Sequence, residues 1–73
     1  MMTVFTVNLY TNDAYTNRID IGIYSTIEKA ISAVETDIAE YQYTINARFK
    51  YNDKKWKYFT DAGTYEIIAV EVK

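Results

Sequence analysis

A chain of 73 residues, 49% apolar and 25% charged, has room for one domain, 1–73, and an ordinary globular composition. Such a chain buries only about 60% of its unfolded surface, which excludes a two-domain enzyme with a deep cleft. Cysteine and histidine are absent and the net charge is −2, which excludes thiol and imidazole chemistry and a molecule-wide attraction for nucleic acid.

No apolar run approaches the roughly 18 residues of a membrane span. The opening Met1-Met2-Thr3-Val4-Phe5 has no basic n-region, so no secretory signal is expected and the cytoplasm is the expected location. Nine Ile and five Val stand against the single Leu9, a balance suited to a pleated sheet. Proline is absent and glycine occurs only at Gly22 and Gly63, which leaves no long flexible linker.

Residues 3–10 alternate, with Phe5, Val7 and Leu9 on one face and Thr6 and Asn8 on the other: a strand. Residues 11–17 are turn formers around Tyr15. Ile19, Ile21 and Ile23 then share a face of a second strand ending at Tyr24, and the two runs form a hairpin. Ser25-Thr26-Ile27-Glu28 fits a capping box. Behind it Ile27, Ile31, Val34, Ile38 and Tyr41, with Ala30 beside them, make the apolar stripe of a helix lying on a sheet.

The following segment reads as a strand, with a continued helix as the alternative. Tyr43, Ile45, Ala47, Phe49 and Tyr51 alternate with polar residues up to Asn52-Asp53, a hairpin turn. Ile45 and Phe49 equally continue the helical stripe, and no Gly or Pro interrupts it. Trp56 to Thr60 reads as a strand, residues 60–64 as a turn, and Tyr65 to Val72 as the last strand, with Ile68, Val70 and Val72 toward the core. The fold class is α+β, an antiparallel sheet with one amphipathic helix on one face. The order is ββαβββ, or ββαββ if the helix runs on.

Any catalytic base would have to be Asp, Glu, Lys or Tyr. Asp13, Asp20, Asp37, Asp53 and Asp61 sit at predicted turns or solvent faces. Phosphate loops, nucleophile elbows and paired-acid metal motifs are absent, so neither enzyme activity nor a cofactor is expected. Charge is unevenly spread. Glu28, Glu35, Asp37 and Glu40 make the helix acidic on both flanks, an ordinary solvated face more than a mimic of phosphate. Five of the eight cations lie in residues 48–57.

That block interleaves Arg48, Lys50, Lys54, Lys55 and Lys57 with Phe49, Tyr51, Trp56 and Tyr58. Cations that track phosphates and rings that stack on bases would suit a single strand of nucleic acid. On paired strands, however, Arg48 and Lys50 would point away from Phe49 and Tyr51. The block also reads as a solvated lysine hairpin that protects a sheet edge from aggregation. Eight tyrosines are many for this length, and tyrosine is enriched at interfaces as well as in strands.

The strand at Val4-Phe5-Thr6-Val7, the run Ile21-Gly22-Ile23-Tyr24-Ser25-Thr26-Ile27-Glu28-Lys29-Ala30 entering a helix, and the closing strand Tyr65–Val72 resemble a loose class of small phage and mobile-element proteins. Anti-CRISPR and other anti-defence inhibitors are similar in size and acidity. The resemblance spans most of the chain and implies action without catalysis in a host cytoplasm. The action would be binding and inhibition of a host protein such as a nuclease or defence complex. It transfers no binding site, and segment 43–57 matches no family pattern. The expected partner contacts are Arg48, Lys50, Tyr51, Lys54, Lys55, Trp56, Lys57 and Tyr58. Nucleic acid is the competing partner, a homodimer through an exposed edge strand and a tyrosine-rich face is a third reading, and no membrane is involved.

Overall fold

In the computed structural model, which describes residues 2–11 and 18–72, the ββαβββ order holds. The elements are β1 (Met2–Thr11), β2 (Arg18–Tyr24), α1 (Ile27–Glu40), β3 (Ile45–Asn52), β4 (Lys55–Thr60) and β5 (Gly63–Val72). The strands form one antiparallel sheet in the order β2-β1-β5-β4-β3. The central strand β5 and its neighbour β1 come from opposite ends of the described chain and pair from Met2↔Val72 to Thr11↔Gly63. The helix carries the chain from one edge of the sheet to the other and rests on β1, β2 and β5. No helix among the described residues is long and apolar enough to cross a membrane.

The helix starts one residue later than the capping box implies. Thr26 is the N-cap, with extended φ and ψ, and its hydroxyl accepts from the Lys29 amide at 3.2 Å. The third helical position is therefore Lys29. Glu28 cannot make the reciprocal bond of a capping box and serves only as a negative charge in the first turn. The stripe moves accordingly: Ala30, Val34 and Ile38 are buried, with Ile27 and Ile31 partly so.

Gln42 ends the helix. It adopts φ 58, the left-handed conformation usually given to glycine, which lets the Tyr43 amide reach back to the Ile38 carbonyl at 2.9 Å. The ambiguity after Tyr41 is thus resolved for the strand. Tyr41, expected in the buried stripe, is the C-cap; it is exposed and stacks on Tyr43 at 5.5 Å.

Phe5, Val7 and Leu9 face the helix as expected, but β5 turns its other side inward. Tyr65 and Ile67 are fully buried against Val7 and Val34, while Val70 and Val72 are exposed on the far face, in line with Ile68. Both sides of β5 are apolar, so alternation alone could not select one; the pairings Leu9↔Tyr65 and Val7↔Ile67 do. The three isoleucines of β2 do not share a face either. Val7 pairs with Gly22 and Asn8 with Asp20, so Ile21 is an extra residue, a bulge that sends Ile23 to the far side.

Asp37 is not a solvent-face acid. It is partly buried, and its carboxylate accepts a hydrogen bond from the Tyr65 hydroxyl, tying α1 to β5. That phenol is pushed well above its ordinary pKa, first by burial and then by the same hydrogen bond. The expected turn at Asp13 and Tyr15 lies outside the described residues. Between β4 and β5 the Thr60 hydroxyl accepts from the Ala62 and Gly63 amides, each at 3.2 Å, and donates to the Gly63 carbonyl. Gly63 has φ 154, and a Cβ there would sit 2.2 Å from the Tyr10 carbonyl oxygen, so only glycine fits.

Candidate functional site

The β3–β4 hairpin carries every residue singled out above as a contact. Its turn is fixed by Asn52, whose side-chain oxygen accepts from the Lys54 amide at 2.7 Å. Lys50 pairs with Trp56 and Asn52 with Lys55, so Tyr51 is an extra residue in the edge strand. The helix does not extend over this flank of the sheet, which leaves both faces of the hairpin open to different degrees.

On the helix side lie Arg48, Lys50, Trp56 and Tyr58. The Arg48 guanidinium is 6.0 Å from the centre of the Tyr58 ring, and Lys50 Nζ is 6.0 Å from that of Trp56. Charge and ring are thus cross-strand neighbours on one face, an arrangement worth about 0.5–1 kcal/mol at an exposed site. Trp56 is half-buried and meets Phe5 edge-on at 6.0 Å and 66°. Around it is a shallow depression of about 350 Å³, floored by Phe5, Ile27, Trp56 and Ala69 and rimmed by Lys50, Lys54, Asp53 and Glu71. Lys50 also touches Asp53 at 3.4 Å, an exposed pair that contributes little to stability.

Tyr58 requires a correction. It is buried, 8% exposed, and belongs to the core cluster under Arg48. Burial raises the pKa of its hydroxyl, Glu35 raises it further, and Arg48 opposes them. It supports the site from below and is not a surface for a partner.

The opposite side of the hairpin holds Tyr51, Lys55 and Lys57. Lys57 Nζ lies 5.4 Å from the centre of the Tyr51 ring and 3.5 Å from the buried Glu66 carboxylate. Phe49 completes the group, 6.1 Å from Tyr51 and edge-on to Phe59 at 5.6 Å. Phe49 and Phe59 were not among the expected contacts. The strict alternation of 43–51 puts Phe49 with Tyr51, and that was the signal available. Lys54 is at the exposed turn. The hairpin therefore presents two separate surfaces, not one basic aromatic patch.

Among the described residues there is no group of three Asp or Glu able to hold a metal ion, and no buried side-chain polar atom lacks a partner. No family model, curated protein or solved structure matches the chain.

Proposed function

We propose that this is a small non-catalytic binding protein that occludes a host protein, using the helix side of the β3–β4 hairpin. The observation that carries the reading is the depression beside Trp56, an apolar floor of Phe5, Ile27 and Trp56 beneath Lys50 and Lys54. It suits a partner that inserts one apolar side chain and meets a mixed rim, in which Lys50 pairs with Asp53 and Lys54 and Glu71 add one charge of each sign. Buried rings of this kind supply most of the affinity of an interface, and rim cations chiefly its association rate. In keeping with the phage inhibitors that the sequence resembles, the partner would be a component of host defence, such as a nuclease, met in the host cytoplasm.

The test is capture from bacterial lysate on the immobilised protein, followed by affinity measurement on the captured partner. Lys50→Glu/Lys54→Glu weakens binding at least tenfold, about 1.4 kcal/mol. Lys55→Glu, on the other side of the hairpin, leaves it within a factor of about two. Equal loss in both variants, or in neither, would remove the assignment.

One observation favours a second reading, nucleic-acid binding: the exposed Phe49 and Tyr51 rings stand beside Lys57. A labelled single-stranded oligonucleotide separates the two. Binding that falls steeply with salt, with a shallower slope in Lys54→Ala/Lys55→Ala, supports nucleic acid. Absence of binding at low salt excludes it.

A further inference from the structure

Among the described residues, the face of the sheet turned away from α1 has no second layer, and part of it is apolar, although Thr6 and Asn8 make its β1 strip polar. Ile23 is 70% exposed, Val72 45% and Val70 40%, with Ile68 partly exposed beside them; Phe49, 52% exposed, and Phe59 lie apart from these, beyond Lys55, Glu66 and Lys57. In a chain this small, leaving so much apolar surface in water is costly. Charges on this face largely cancel in pairs. Among the described residues, Arg18 meets Asp20 at 3.4 Å and Lys57 meets Glu66 at 3.5 Å, leaving Lys55 over.

We infer that the same face of a second copy covers it, two sheets packed back to back with the helices outside. Charge and area select this occupant. A near-neutral face whose ions are already paired offers little to a polyanion or an anionic membrane, and a copy of itself brings no array of like charge. Five strands about 4.8 Å apart, averaging about 25 Å in length, present a plane of roughly 600 Å². Over the two partners that is about 1,200 Å², the lower end of what a specific, stable interface buries. Sheets packed this way lie about 10 Å apart, the separation that interdigitating valines, isoleucines and phenylalanines fill. The contact is isologous and differs from edge-strand pairing, since it uses side chains and not the free backbone of β2 or β3. It also leaves the depression beside Trp56 free.

Sedimentation of the full chain from micromolar to millimolar concentration tests the inference. The expected mass is twice the 8.5 kDa of the chain. Ile23→Lys/Val70→Lys and, separately, Phe49→Lys raise the dissociation constant at least tenfold; these side chains are exposed, and circular dichroism checks that the variants fold. Dilution of the unaltered protein gives a second reading by NMR. Amide resonances of Ile68 and Val70 shift with concentration, and those of α1 do not. A monomer at millimolar concentration would overturn the inference, as would a dimer that survives both variants or shifts confined to β2 and β3. So would tight binding of a single-stranded oligonucleotide or of anionic vesicles abolished by Phe49→Lys, since another occupant would then hold the face.

Discussion

Two residues hold backbone conformations that the fold depends on, and they lead to opposite outcomes. Gly63 has φ 154 where β5 begins, with the Tyr10 carbonyl where a Cβ would go. Gly63→Ala must therefore push β1 and β5 apart at their shared end, at an expected loss of about 2–4 kcal/mol in urea unfolding. Gln42 holds the left-handed position at the end of α1 with a side chain that disfavours it. Gln42→Gly removes that cost, and the expected gain is about 0.5–1 kcal/mol in the same measurement. The glycine was visible in the sequence as a turn residue, although not the carbonyl that makes it indispensable. Gln42 carried no such mark, which is why the segment after Tyr41, read as a strand, could also be read as more helix.

Among the elements, α1 and β5 are joined by the bond from Tyr65 to Asp37, and this coupling depends on pH. The folded state raises the phenol's pKa above its ordinary value of 10.0. It therefore holds the proton more tightly than the unfolded chain does. The stabilisation is complete below about pH 10 and is lost as the pH rises above it. Stability should thus fall through the alkaline range, with Tyr58, also raised, adding to the decline. Tyr65→Phe should cost about 1.5–3 kcal/mol at neutral pH, the worth of a hydrogen bond to a charged group. It should also flatten the alkaline decline, as thermal unfolding across pH 8–11 would show. The same element scale explains the split hairpin. Strand alternation separates Arg48 and Lys50 from Phe49 and Tyr51, and the helix stops short of this flank, so each set faces its own open surface.

At the scale of the molecule, one helix covers three of the five strands, and the core is correspondingly thin. Val34 sits fully buried at its centre, between Ala30 and Ile38. Val34→Ala removes two carbons and leaves a cavity, an expected loss of about 2–3 kcal/mol in urea unfolding. Against the roughly 5 kcal/mol of a domain this size, that is about half of the total.

Local chemistry alone settled the types of the first two strands, the helix and the last two strands, but not the segment after Tyr41, where the turn at Gln42 decided for a strand. Alternation in β1 defined its inner face because Thr6 and Asn8 are polar, and the stripe from Ile27 to Ile38 defined the helix because its other faces are charged. Where both faces of a segment are apolar, as in β5, or where a bulge reverses alternation, as at Ile21, local pattern is silent. There the pairing of β1 with β5, about 60 residues apart in the chain, made the choice by burying Tyr65 and Ile67 against Val7 and Leu9. That pairing also sets where the helix lies, and so which face of the hairpin stays open on each side.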